Sequence, residues 1–431
     1  MIEAILLSLL LFFIYTQQRA WVIILILSAN YFFRYRKSFV KIIIIFSITI
    51  ICLFRVGMLQ NEEFVSFSFI DEKCVAITGI VKEDSKLASW GQKRCVIKLL
   101  EANLKNGDVA TCKGRIGVNY IGPSLFYGDV VSFSGKLKNS SFNAKNYTLL
   151  NRINLNRTRS KIFEKFSSIS SRELSTMLLL GYTPSNDSEL TTLARNSGNS
   201  HILALSGMHL ALFSSLITFV LTPIFTKKYA KIISLSLLTL YILFIGPKPS
   251  LIRAYILSLT FILFKFDKNI DALVFCFVIQ LLFFKDSIMT ISTMLSYISL
   301  CGIMTLPKFL LDSIDSFIVL PEVLIMPFLV TIGALIFTIP VSYYLFGTYQ
   351  VSSIITSPIA GVLIYIYMVI SIVSLFNSKA LIILDKIYIV LEYVLRKGSE
   401  IKLQENLNVY FILLFFTLLI IALGRLKRKN K

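Results

Sequence analysis

Apolar stretches of about 20 residues, the length a helix needs to cross a bilayer core about 30 Å thick, recur throughout this 431-residue chain. From residue 201 onward, expected spans cover 202–223, 231–246, 250–265, 270–284, 288–306, 321–346, 350–375 and 407–424. Earlier, residues 4–33 form two short apolar runs parted by Thr16-Gln17-Gln18-Arg19, and Ile42–Leu59 is a further span. The chain is 55% hydrophobic, too much apolar surface for a soluble domain to hide. With 35 Phe and 19 Tyr but 2 Trp, any interfacial aromatic belt is built from Tyr and Phe. The expected fold class is therefore a polytopic α-helical membrane protein.

Charge gives the orientation. The formal charge of +20 sits mostly outside the apolar runs. Such an excess fits membrane topology and anionic lipid, or a polyanionic ligand such as nucleic acid, and composition does not choose between them. Arg34-Tyr35-Arg36-Lys37 with Lys41 marks a cytoplasmic loop. That places the N-terminus inside and everything after Leu59 outside. No small-residue cleavage site follows Ile5–Tyr15, so this stretch reads as a retained span. Lys227, Lys228 and Lys231, the pair Lys265 and Lys268, and the tail Arg425–Lys429 mark further cytoplasmic segments. An outside domain and an inside tail need an odd number of later crossings. Eight are expected, so one is false, split or re-entrant, with residues 307–350 the main suspect.

Residues 61–156 change character. Val75–Val81, Cys95–Leu100, Val109–Val118 and Val130–Leu137 are β-rich, and Asn106-Gly107 marks a hairpin. Gly79, Gly114, Gly117 and Gly135 lie in or beside these runs, where a small barrel coils sharply. The pattern predicts an inserted extracytoplasmic β-barrel of OB-like type, or another small antiparallel domain. Cys74, Cys95 and Cys112 lie here, and their odd number leaves any disulfide unassigned. If reduced and accessible, Cys74 or Cys95 should react with a membrane-impermeant thiol reagent. Cys52, Cys276 and Cys301 lie in apolar segments, where a thiol is normally a small core residue. Residues 157–200 read as an amphipathic basic connector resembling a helix on the membrane surface, with Arg157, Arg159, Lys161, Lys165 and Arg172 among apolar positions. Residues 1–60 are N-terminal transmembrane helices and 201–376 a transmembrane channel domain. Residues 377–431 hold an amphipathic segment, a last span and a basic tail.

Three segments carry candidate chemistry. The chain has 2 His, both in Ser200–His209. Ionisable groups at membrane depth usually face a cavity or a partner. Ser206 and His209, three apart, share a helix face; His201 lies roughly 80° around an ideal helix from His209. Gly207, Ala211 and Ser215 form a small-residue ridge that lets another helix approach. The alternative is that His201 caps a helix and His209 packs. In Gly246-Pro247-Lys248-Pro249-Ser250 one helix ends and another begins, which puts Arg253 in a first turn, either snorkelling to headgroups or facing a polar path. Ser292, Ser296 and Ser299 form a hydroxyl stripe, interhelical glue or pore lining. No carboxylate or Cys completes a metal pair with the histidines, so neither metal nor cofactor is expected.

Together these segments resemble the ComEC family, the inner-membrane channel that admits single-stranded DNA in natural competence. His201–His209 matches the family's H-[LI]-L-A-[IL]-S-G-[LM]-H, and Pro249, Ser250, Arg253 and Ala254 match P-S-x-x-R-A. Met294-Leu295-Ser296-Tyr297 departs from Q-L-S-[FY] at the Gln. Pro340, Phe346, Gly347 and Pro358 meet a later pattern without its usual Asn, and Tyr127–Gly135 is similar to the family's G-D-x-V-x-x-x-G stretch. The resemblance covers residues 70 to 365. It implies a bacterial inner-membrane, multi-pass conduit for single-stranded DNA, with His201, Ser206, Gly207, His209, Arg253 and Ser296 along the path. Pro249, Ser250, Pro340, Gly347 and Pro358 shape the helices. The implied partners are membrane lipids, a separate nuclease, a DNA receptor and a cytosolic DNA motor, with a homo-oligomer open. Many members continue into a metallo-β-lactamase-like domain; with 2 His and no H-x-H-x-D-H run, no nuclease activity is expected here. The rivals are a transporter of another anionic substrate and, less favoured, a Ser206/His209 hydrolase lacking a third orienting acid.

Overall fold

A computed structural model describes residues 7, 8, 10, 20–35, 74–87, 92–104, 109–111, 114–138, 141–152, 154–166, 169–182, 188–203, 205–246, 248–264, 266, 269–284, 290–315, 321–401, 410, 411, 413–415, 417 and 418. The Ile42–Leu59 span, the Asn106-Gly107 turn, Cys52, Cys112, Lys265, Lys268 and the basic tail lie outside them.

Alternation along the strands builds a barrel. β1 (Cys74–Leu87) pairs antiparallel with both β2 (Lys93–Leu104) and β5 (Val130–Lys138). β5 pairs antiparallel with β6 (Ser141–Asn151), β6 in parallel with β4 (Arg115–Tyr120), and β4 antiparallel with β2. The ring β1-β5-β6-β4-β2 closes on itself, and short β3 (Val109–Thr111) lies beside β2. Closure leaves five strands without a free edge. Ile77, Val81, Ile97, Val118, Phe133 and Phe142 fill the interior. Gly79 and Gly135 sit at register shifts, where the neighbouring backbone leaves no room for a β-carbon. Two expectations change. Val109–Val118 is not one strand: it divides around Gly114 into β3 and β4. Cys95 is 1% exposed, a free thiol inside the barrel, because it alternates with Ile97 and Leu99 on the inward face. It therefore neither pairs nor meets a reagent in the folded state.

The connector is three short helices, α2 (Asn154–Lys165), α3 (Arg172–Leu180) and α4 (Glu189–Asn196), rather than one surface helix. Leu174–Leu180 are buried throughout, and Arg159 points inward to an acid instead of outward to headgroups.

Helix α1 (Ala20–Tyr35) joins α8 (Pro249–Leu263), α9 (Asn269–Phe283), α10 (Ile291–Ile314) and α11 (Glu322–Phe346) around one core. A second core gathers α3, α4, α5 (Ser200–Leu203), α6 (Gly207–Leu221), α7 (Lys227–Ile245), α12 (Ser353–Ser374) and α13 (Ala380–Glu400). Helices α7, α10, α11 and α12 are long and apolar enough to cross a membrane. Their outer faces expose apolar residues such as Leu240, Val323 and Val362, as lipid contact requires. Within the suspected stretch 307–350, the end of α10 and the whole of α11 are each unbroken helix. They cross closely at Gly302 and Gly333, where a β-carbon on Gly302 would run into the Gly333 carbonyl oxygen. The irregularity lies earlier. α6, α8 and α9 have 15 residues each, about 22 Å at 1.5 Å per residue, short of a full crossing. α6 and α8 also begin at breaks. The expected span 202–223 is in fact α5, a break and then α6.

Candidate functional site at two broken helices

The break before α6 is held by the motif residues. Ser206 is the N-cap with extended backbone, and His209 is the third helical residue. His209 Nδ1 accepts the Ser206 backbone N–H at 2.9 Å, the part a Glu or Gln plays in a capping box. Ser206 Oγ lies 3.2 Å from the same nitrogen. Ser206 and His209 therefore meet through a cap and not as neighbours on a continuous helix face. A ring nitrogen that accepts carries no proton, so neutral His209 has its hydrogen on Nε2. The ring is 0% exposed. The ring of His201, on α5, is exposed, and the break makes its angular relation to His209 on an ideal helix irrelevant.

The second break adjoins the first. Gly246 ends α7 at φ +100°, with Tyr127 of the barrel against the place a β-carbon would take. Pro249 opens α8 at its first turn, where its missing N–H costs nothing. Ser250 Oγ donates to the Leu205 carbonyl at 2.8 Å, satisfying backbone freed by the α5–α6 break. A β-carbon on Gly207 would lie 3.1 Å from Cβ of Ala254, so α6 and α8 are in close contact. The ridge ends there: Ala211 and Ser215 are exposed, and α6 meets α7 through Ser214 and Ser234 instead.

Arg253 points the other way. It is 4% exposed, and NH1 donates to Thr293 Oγ1 on α10 at 2.9 Å. Its guanidinium carbon is 5.7 Å from the centre of the Tyr297 ring. Tyr297 donates to Gln280 at 2.8 Å, and Cys276 lies within 3.4 Å of the same hydroxyl. No carboxylate among the described residues pairs with Arg253. It does not snorkel. It is a buried cation held by a hydroxyl and an aromatic face. Thr293 and Tyr297, not the Ser292/Ser296/Ser299 stripe, face it; Ser292 is exposed and Ser296 half-buried. Helix α8 thus meets the capped α6 start through Ala254 and the Thr293–Tyr297 cluster through Arg253.

Two further arrangements escaped sequence reading. Asn199, just before α5, donates to Thr356 Oγ1 at 2.7 Å and accepts from Ser357 Oγ at 2.6 Å, which fixes the His201 segment against the start of α12. Pro358 follows directly, inside α12. Pro340 lies inside α11, and Gly347 closes that helix in the left-handed conformation. The barrel seats on the second break. Asp84 of β1 accepts from Arg159 at 2.6 Å and lies 3.9 Å from Lys248 Nζ. Asp129, in the Tyr127-Gly128-Asp129 stretch, binds Arg152 at 2.9 Å and Asn156 at 2.8 Å. Burial pushes the Lys248 ammonium down to about 8, against the pull of Asp84.

Fold and site define a helical membrane protein with a closed five-strand barrel, whose irregular backbone inside the helical body is braced by Ser, His and barrel contacts. The family model described as Competence protein matches residues 178–429, and the chain belongs to that family, the ComEC/Rec2-like proteins. That membership carries a role in competence and DNA uptake, and the family is one of channels rather than enzymes. No curated protein and no solved structure matches the chain.

Proposed function

We propose that this protein conducts single-stranded DNA across the bacterial cytoplasmic membrane, with the barrel on the extracytoplasmic side receiving the strand. One observation carries the reading: two helices, α6 and α8, begin at adjacent breaks inside the helical body. Irregular backbone among membrane helices is tolerated where it is enclosed by protein or lines a wet cavity, and helix N-termini present N–H groups that favour anions. A phosphate backbone needs such a dipole-lined route through hydrocarbon. The buried Arg253 of α8, with no carboxylate partner among the described residues, adds positive charge to the same body. The order of the barrel ring, with β1 joining β2 and β5 and a parallel β4–β6 pair, supports an OB-type reading. Such barrels bind single strands through basic grooves and stacking platforms.

The hydrolase reading loses support from the cap. The Nδ1 lone pair that would activate Ser206 already accepts the Ser206 N–H. A separate nuclease, a DNA receptor and a cytosolic motor are the partners a conduit for one strand calls for. The test compares surface binding with internalisation of labelled DNA in a deletion strain and its complemented parent. Normal binding with lost internalisation supports the conduit. Normal internalisation in the deletion strain overturns it.

A further inference from the structure

Cations crowd the seam between barrel and helices. Lys93 comes from β2, Arg152 follows β6, Arg159 lies on α2, Arg172 opens α3 and Lys248 precedes α8. Asp84 engages Arg159 and Lys248, and Asp129 engages Arg152. Glu173, its carboxyl held up by burial, and Asp385, which accepts the Ser171 backbone N–H at 2.9 Å, are further acids next to Arg172. Lys93 and Arg172 have no carboxylate partner among the described residues. Both are half-buried and reachable from solvent. Lys93 Nζ is 3.2 Å from Ser124 Oγ. Ser124 lies near Tyr182, whose ring packs edge-on against Phe163 at 5.2 Å. The Arg172 guanidinium stands 4.5 Å over that same Phe163 ring. The two cations therefore flank one short arc of hydroxyl and aromatic groups. Burial and then the Arg172 charge depress the Lys93 ammonium, the mark of like charges held close. An anion placed between them relieves that repulsion.

Resting on the reading above, we propose that Lys93 and Arg172, with the Ser124 hydroxyl, form a phosphate subsite for single-stranded nucleic acid where the barrel passes the strand to the helices. The position suits the task, since the subsite shares its seam with Lys248, two residues before the Ser250 that braces the α6 break.

The test uses the full-length protein in neutral detergent and a fluorescein-labelled oligodeoxythymidylate, followed by anisotropy across a salt series. Lys93→Gln with Arg172→Gln should weaken binding about tenfold at low salt. The slope of log affinity against log salt should shrink by about 0.7, the contribution of one phosphate contact on a single strand. Lys93→Arg with Arg172→Lys should bind as the parent does. Lys136→Gln with Lys145→Gln, exposed on β5 and β6, should also leave affinity unchanged. Parental binding by the first variant overturns the subsite. An equal loss in the Lys136/Lys145 variant shows bulk charge only, and an equal loss in the charge-conserving variant shows packing; either overturns it as well. No binding by the parent protein would overturn the DNA reading itself, and the subsite with it.

Discussion

His209 has two separable duties in this geometry. Nδ1 closes the cap of α6, and Nε2 carries the ring's hydrogen. Gln at the same position keeps a capping-box acceptor. His209→Gln is therefore expected to fold, insert and support normal surface DNA binding, while internalisation falls sharply. Wild-type uptake at matched expression would reduce His209 to its cap. Arg253 invites a parallel experiment. Replacing a buried ion with an apolar side chain of similar length is often neutral or stabilising. Arg253→Met should leave thermal stability unchanged or higher and still abolish uptake if the charge acts on the strand; unimpaired uptake would make Arg253 a packing residue. Cys95 makes a negative prediction. Burial lifts its thiol to about 12, so an impermeant maleimide at neutral pH should label it only after unfolding. Labelling of the native protein at Cys95 would mean that the barrel opens.

Among the helices, α10 and α11 cross in close backbone contact at Gly302 and Gly333. Both glycines face each other's backbone, so Gly302→Ala forces the pair apart. Lost close packing between membrane helices costs on the order of 1–3 kcal/mol by analogy with overpacked cores. The expected readout is a lower melting temperature in detergent, with Gly361→Ala as the control, since a β-carbon there meets nothing within 4 Å. Equal melting of the two variants would show that the crossing relaxes freely.

The barrel and the helical body are joined through ions. Arg159 is enclosed by Asp84, the Leu180 carbonyl and the face of Phe126. Asp84→Asn leaves that guanidinium buried without its counter-charge, which costs about 3–5 kcal/mol for a broken buried pair. Limited proteolysis should then release the barrel at lower temperature than in the parent. Lys248 contributes with a defined sign. Its folded pKa of about 8 lies below its ordinary 10.5, so between those values the folded state binds fewer protons than the unfolded. Stability therefore gains with pH across that window, and Lys248→Met, with no proton to lose, should flatten the gain. An identical pH dependence in parent and variant would place Lys248 in water.

The membrane class, the strand-rich insert and the α7–α8 break were legible along the chain because each rests on local cues, whereas the α5–α6 break was not and 202–223 read as one span. Apolar run length reports a bilayer span, alternation reports strands, and Gly246 through Ser250 reports where one helix stops and the next starts. What local cues do not encode is which distant groups meet. The sequence places Arg253 in a first turn but not against Thr293 and Tyr297, 40 and 44 positions on. It shows Arg159 among basic residues but not that Asp84, on a strand 75 positions earlier, would draw it inward. Cys95 has the same residue identity whether it faces reagent or core, and only ring closure of the barrel turns that face inward. A buried charge or thiol is settled by long-range packing, since its cost depends on the partners that enclose it and those partners are brought together by the fold alone.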